Sequence, residues 1–132
     1  MKGKIQKTNE EWKKLLTSEE FHVLREKGTE KSFTGAHLNN KKHGVYLCAG
    51  CKNRLFSSNT KFDSGSGWPS FTAPISDDTV ETRSDNSHGM NRTEVVCSRC
   101  GGHLGHVFDD GPRPAGMRYC INSVSLLFEE TD

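Results

Sequence analysis

Two Cys-x-x-Cys pairs, Cys48/Cys51 and Cys97/Cys100, constrain this chain more than any other feature. A pair of thiolates three residues apart on a tight turn can chelate one metal ion. Two such pairs complete the closed tetrahedral set of a structural zinc site. The 45 residues between Cys51 and Cys97 exceed the short interval of a local zinc ribbon. The ion would therefore join two hairpins distant in sequence, as a brace contributing on the order of 10 kcal/mol of folding free energy. The rival reading of the same spacing is a pair of redox-active dithiols, for which the protein would fold without metal.

A brace suits this composition. The chain has 132 residues, enough for one domain over residues 1–132 with a real core, yet only 32% are hydrophobic and 13 are glycine. Such a balance predicts a loop-rich, mostly β domain. The net charge of +1 hides an asymmetry: residues 1–62 carry 13 Lys and Arg against 6 Asp and Glu, and residues 63–132 carry 5 against 11. The lysines are scattered, and no basic residues interleave with aromatics, so a solvated surface explains them better than nucleic-acid binding. Residues 1–8 lack the apolar core of a signal peptide, and no apolar run approaches the roughly 20 residues that cross a bilayer. The expectation is a soluble cytoplasmic protein without a membrane partner, where Cys-x-x-Cys pairs serve metals more often than disulfides.

Local patterns place the pairs. Thr8-Asn9-Glu10-Glu11 and Thr17-Ser18-Glu19-Glu20 are capping boxes that open two short amphipathic helices, the second ending at Gly28. From His43 the pattern alternates, and Val45, Leu47, Leu55 and Phe56 flank the first Cys pair as a hairpin. Residues 79–83, 93–97 and 103–108 read as further strands, residues 84–91 as a turn or loop, and residues 109–116 as a Pro- and Gly-rich turn. A last strand is expected over residues 117–128.

Cys120 is the one cysteine without a partner three residues away. On a strand, Arg118, Cys120 and Asn122 share a face, setting a cation, a thiol and an amide side by side. A fixed cation favours the thiolate, which is the nucleophilic form. The competing reading is a buried cysteine in a core strand. His103 and His106 can supply protons near neutral pH, unless they serve as metal ligands or core residues. Gly67-Trp68-Pro69-Ser70-Phe71 offers aromatic surface for a small apolar group such as a methyl, although at least one of Trp68 and Phe71 is expected in the core. A zinc-braced interaction module would use the same scaffold but leaves Arg118, Cys120, Asn122 and the histidines without a purpose.

These pieces together resemble the methionine-R-sulfoxide reductases of the B type. The matching segments are residues 19–30, Phe33-Thr34-Gly35, 48–51, 67–71, 97–100, 103–108, Asp110-Gly111-Pro112 and 118–122. They cover nearly the whole chain in the expected order, and their combination is specific where each alone is not. The resemblance implies a β-tent of two antiparallel sheets with short N-terminal helices, braced by one structural zinc on Cys48, Cys51, Cys97 and Cys100. It implies that Cys120 attacks the sulfur of the R sulfoxide, leaving methionine and a sulfenic acid. His103 and His106 would act at the sulfoxide oxygen, with His106 the main proton donor. Arg118 would lower the pKa of Cys120, Asn122 would orient the site, and Trp68 would hold the ε-methyl group, with Phe71 beside it at the substrate. Implied partners are oxidised proteins or peptides as substrate and thioredoxin or another thiol as reductant, the enzyme acting as a monomer. One departure stands out. Many members carry a resolving cysteine just before Gly-Trp-Pro-Ser-Phe, where this chain has Ser66.

Overall fold

A computed structural model describes residues 7–86, 89–113 and 116–131. Both capping boxes form. Helix α1 (Asn9–Leu15) is entered through Thr8, whose hydroxyl accepts from the Glu11 N–H while the Glu11 carboxylate accepts from the Thr8 N–H. Helix α2 (Ser18–Glu26) repeats the arrangement with Thr17 and Glu20. Helices this short are unstable alone and hold through the face they bury, here Trp12, Leu16, Phe21, Val23 and Leu24. The left-handed residue that ends α2 is Lys27, with φ 58°, rather than Gly28. Gly28 lies against the His22 ring, which a Cβ there would displace.

The strands are β1 (Gly44–Cys48), β2 (Arg54–Ser57), β3 (Lys61–Phe62), β4 (Ser70–Phe71), β5 (Val80–Asp85), β6 (Arg92–Cys97), β7 (His103–Phe108), β8 (Arg118–Ile121) and β9 (Leu126–Glu130). They form a three-stranded sheet in the order β2-β1-β9 and a six-stranded sheet in the order β3-β4-β8-β7-β6-β5, with every pairing antiparallel. The fold is thus mostly β, two antiparallel sheets with two short helices. The single strand expected over residues 117–128 is instead two strands in different sheets. Asn122 ends β8 by bonding across to Leu104, and a 3-10 turn over Ser123–Ser125 redirects the chain. The loop expected over residues 84–91 is shorter, because β5 continues through Asp85; Ser87 and His88 lie outside the described residues.

The two sheets face each other across an aromatic core. Phe71 stacks on Phe56 at 4.5 Å between ring centroids and meets Tyr46 edge-on at 5.2 Å. Burying such rings contributes about 1.5–3 kcal/mol each. Register fixes what faces away from that core. Reading across the large sheet, Phe62, Ser70, Cys120, His106, Glu94 and Arg83 form one cross-strand row. Directly opposed residues project to the same face, so four strands bring Ser70, Cys120, His106 and Glu94 together on the side opposite Phe71.

Candidate active site

His103 and His106 are three apart, and on a regular strand they would point to opposite faces. Strand β7 avoids this with a bulge. Val95 pairs with Gly105, but Val96 pairs with His103, so Leu104 is an extra residue. The extra residue restores parity, and both imidazoles project to the Cys120 face with ring centroids 5.4 Å apart. Asn122 holds the bulge: its backbone N–H and its side-chain amide both donate to the Leu104 carbonyl, at 2.9 and 3.0 Å. Neighbouring Gly105 admits this close approach, since a Cβ would strike the Cys120 carbonyl.

The two rings have different surroundings. The His106 Nε2–H donates to Asp85 at 2.7 Å, and the residue lines a cleft of about 270 Å³ with Cys120, Asn122, Arg118, Trp68 and Ser66. Its tautomer follows from the carboxylate, which places the proton on Nε2 and leaves Nδ1 as the basic nitrogen. His103 is 2% exposed and lies under α2 beside Leu24 and Lys27, away from that cleft. Its Nδ1–H donates to the buried Glu94 at 2.7 Å, which also pairs with Lys27 at 3.5 Å. Burial holds the His103 pKa below the usual imidazole range, against the pull of Glu94.

Cys120 is half-buried at the floor of the cleft. Burial raises its thiol pKa above the ordinary value; a hydrogen bond with Ser66 and the nearby Arg118 charge oppose the rise without cancelling it. Arg118 therefore favours the thiolate, as expected of it, but the net shift is upward. Much of its charge is already answered, because Nε and the terminal amine donate to Asp110 at 2.8 and 3.1 Å. The guanidinium also stacks over Phe108 at 4.4 Å.

Trp68 stands on the opposite wall, half-buried, its indole N–H donating to the Glu30 carbonyl at 2.9 Å. Glu30 ties the two walls together. Its N–H donates to the Asn122 side chain at 3.0 Å, and its buried carboxylate accepts from the Val124 N–H at 2.9 Å. Phe71, expected beside Trp68, does not reach the cleft. It is fully buried on the core face, because β4 alternates and Ser70 takes the cleft side. Asp85, Glu94, Arg92, Thr29 and Glu30 join the site or its support without having been marked from sequence. The places of Asp85, Glu94 and Arg92 depend on register between strands, which local patterns do not carry; Thr29 and Glu30 fell within a matched segment without a role being read for them.

At the other end of β7 the four remaining cysteines converge. Their sulfurs all lie within 4.8 Å of one another, positioned to bind one metal ion. The knuckle between β1 and β2 supplies Cys48 and Cys51, and the knuckle between β6 and β7 supplies Cys97 and Cys100. The Gly102 N–H donates to Cys100 Sγ at 3.4 Å and the Asn53 amide to Cys97 Sγ at 3.6 Å, contacts that suit thiolates. Their mutual hydrogen bonding holds the Cys97 pKa well below the thiol range and pushes Cys48 well above it, Cys100 being the main partner of each. A divalent cation at the centre would let all four ionise. Arg25 closes the outside, donating to the Cys100 carbonyl at 2.9 Å and stacking on Trp12.

Comparison with known proteins agrees with this arrangement. Residues 16–130 match the SelR domain family. The chain is 58% identical over 130 residues to the peptide methionine sulfoxide reductase MsrB of Leptospira interrogans, covering 98% of this chain and 99% of that one. It is 63% identical over 125 residues to the protein of the same name from Methanosarcina barkeri, covering 95% and 88%. Against that from Acinetobacter baumannii the identity is 53% over 124 residues, covering 94% and 89%. With the family match and these identities extending over nearly its whole length, the chain belongs to the SelR, or methionine sulfoxide reductase B, family.

Proposed function

We propose that this protein reduces methionine-R-sulfoxide in oxidised proteins and peptides to methionine, with Cys120 as nucleophile. The carrying observation is the direct cross-strand pairing of Cys120 with His106 in one cleft, faced by Trp68. A sulfoxide needs a nucleophile at sulfur and a proton at oxygen, and a cross-strand pair delivers both from one side, with Cβ atoms about 5 Å apart.

The Cys120 thiolate attacks the sulfoxide sulfur while protonated His106 gives its Nδ1 proton to the oxygen. The substrate S–O bond breaks, the oxygen with its proton passes to Cys120 sulfur as a sulfenic acid, and methionine leaves. Cys120 sulfur is oxidised by two electrons and the substrate sulfur is reduced by two. The Trp68 ring receives the ε-methyl group, and Asn122 holds β7 in register. His103 acts through the His106 ring, with burial keeping it neutral and Glu94 holding it oriented. Two external thiol groups then return Cys120 to the thiol, releasing water and leaving their own disulfide. Thioredoxin is the leading reductant. No second thiol of this chain serves that step, since the other four cysteines belong to the metal cluster and Ser66 stands 3.7 Å from Cys120.

Zinc is the ion we assign to the cluster. The Cys48–Cys100 and Cys51–Cys97 sulfurs are 3.7 and 3.5 Å apart. A tetrahedron with zinc–sulfur bonds of about 2.3 Å has edges of about 3.8 Å. With four thiolates the site is closed, so the ion braces the two knuckles and takes no part in the reaction.

The deciding experiment is a stereoselective assay on peptides carrying R or S sulfoxide, with thioredoxin and a small dithiol in parallel. Turnover of the R epimer alone is expected with both reductants. Equal turnover of both epimers would overturn the assignment. Mass spectrometry after one turnover without reductant should find Cys120 sixteen mass units heavier or as its trapped derivative. An internal disulfide to Cys120 would remove the external-thiol step.

A further inference from the structure

Three hydroxyls sit in line behind Cys120. Ser66 Oγ lies 3.7 Å from Cys120 Sγ, Ser64 Oγ lies 2.8 Å from Ser66 Oγ, and Ser70 Oγ lies 2.7 Å from Ser64 Oγ. The line ends on a fixed acceptor, the Trp68 carbonyl, 3.1 Å from Ser70 Oγ. Backbone donors pin it in the middle, the Ser66 N–H on Ser64 Oγ at 3.2 Å and the Trp68 N–H on Ser66 Oγ at 3.4 Å. Ser70 is wholly buried in the sheet directly opposite Cys120, so its hydroxyl must bond within this group.

A hydroxyl carries one proton to donate and two lone pairs to accept with. Ser66 Oγ also lies 3.5 Å from the Trp68 carbonyl, so the three protons can be placed in several ways, but two solutions run in one direction along the whole line. In one, Ser70 donates to Ser64, Ser64 to Ser66, and Ser66 to the sulfur of Cys120. In the other every bond reverses: the sulfur side donates to Ser66, Ser66 to Ser64, Ser64 to Ser70, and Ser70 to the Trp68 carbonyl. Neither solution leaves a hydroxyl proton without an acceptor. The first suits a thiolate, which only accepts. The second suits a thiol or a sulfenic acid, which has a proton to give.

We propose that Ser66, Ser64 and Ser70 form a reversible hydroxyl chain that positions Cys120, donating to it as a thiolate and accepting from it once it bears a proton or an oxygen. Each hydroxyl keeps its own proton, and the switch is a concerted rotation about three C–O bonds. Ser66 thereby has a task of its own where other members carry a thiol. The chain rests on the reading of Cys120 as nucleophile and deepens it. In a half-buried site a donor to the thiolate offsets part of the desolvation that raises its pKa. Two further hydroxyls aligned behind that donor strengthen it by mutual polarisation.

The test reads the sulfur itself. The rate of iodoacetamide alkylation at Cys120, located by mass spectrometry, is followed from pH 5 to 10 in the full-length metal-loaded protein and in Ser66→Ala and Ser64→Ala. Both serines are half-buried on a loop, so truncation to alanine spares the core. The charged groups that face Cys120 are unaltered in both variants: Arg118 on β8, His106 on β7, Arg92 on β6, Asp85 behind His106, and Asp110 in the turn between β7 and β8. Ser66→Ala should move the midpoint upward and lower the rate at pH 7 by about fivefold to tenfold, as for loss of one hydrogen bond to a charged group. Ser64→Ala, which does not touch the sulfur, should move it the same way by about twofold. The limiting rate at high pH should be unchanged in both. A Ser64→Ala profile that superimposes on the parent would overturn the chain, as would an equal fall at every pH with a fixed midpoint. Turnover of Cys120→Ser, measured beside these, tests the nucleophile reading separately.

Discussion

At one end of β7 four thiols crowd within 4.8 Å of each other, closed over by Arg25 and Trp12; near its middle, Cys120 faces three hydroxyls, an imidazole and a guanidinium. The side chain is the same in both places. In the cluster every sulfur is matched by three others, and the arrangement is complete once a cation sits among them. Around Cys120 nothing is matched: burial raises the cost of the thiolate, while donors stand ready to accept the charge wherever it forms. Symmetry of surroundings makes a cysteine structural, and asymmetry leaves it free to react. A single sheet can hold both because the knuckle lies at a strand end, where the chain turns, and Cys120 lies mid-row, where register is held on both sides.

Exchanging serine for cysteine in each region should break the comparison most visibly. Cys120→Ser should lower turnover of R-sulfoxide peptide by about 10⁴-fold or more, the scale seen on losing a nucleophile. Its thermal midpoint should move by no more than about 2 °C, as for a small change at a partly exposed position. Cys97→Ser should do the reverse first. It should lose bound metal and at least about 3 kcal/mol of stability, read from urea unfolding, with activity following the folded fraction. Removing the ion from the unaltered protein with a strong chelator should likewise abolish the tertiary signal in near-ultraviolet circular dichroism. A fully folded, metal-free protein would instead revive the reading of two dithiols.

The histidines sharpen the contrast within the row. His106→Asn should cost about 10²-fold in turnover, the usual loss for a general acid. His103→Asn should cost less, about tenfold on the scale of an indirect support, and restoring activity with added imidazole should succeed only for the cleft-lining residue. The smallest effect concerns Asp110. In Asp110→Asn the Arg118 charge is no longer shared, so the raised pKa of Cys120 should fall. Below its midpoint a thiol gains thiolate as its pKa drops, and alkylation at pH 7 should rise by about twofold, the modest size expected of an exposed charge.

Much of this architecture was legible in the chain. The capping boxes, the two knuckles and the shared face of Arg118, Cys120 and Asn122 are local patterns, set by hydrogen bonds or parity within a few residues. What local pattern could not show is where one strand meets another. Residues 117–128 alternate well enough for one strand, yet Asn122 bonds to Leu104 and the chain leaves for the other sheet. Phe71 and Trp68 look alike on a Gly-rich loop, but pairing with β8 turns Phe71 into the core. Asp85 and Glu94 carry no motif at all; they matter because β5 and β6 are laid beside β7.

The bulge in β7 has a consequence for how this protein can change length. Most loops absorb an inserted or deleted residue, and a strand shortened to His-Gly-His by deletion of Leu104 would still align both imidazoles, since two-residue spacing does so without a bulge. The deleted residue, however, is fully buried, and its carbonyl is the acceptor for Asn122. The shortened protein should therefore keep its histidine pair and its metal knuckles while losing the tie between β7 and the turn after Cys120. An extra residue in the middle of a strand thus separates two demands that regular pairing cannot meet together, one side chain for the core and two for the Cys120 face.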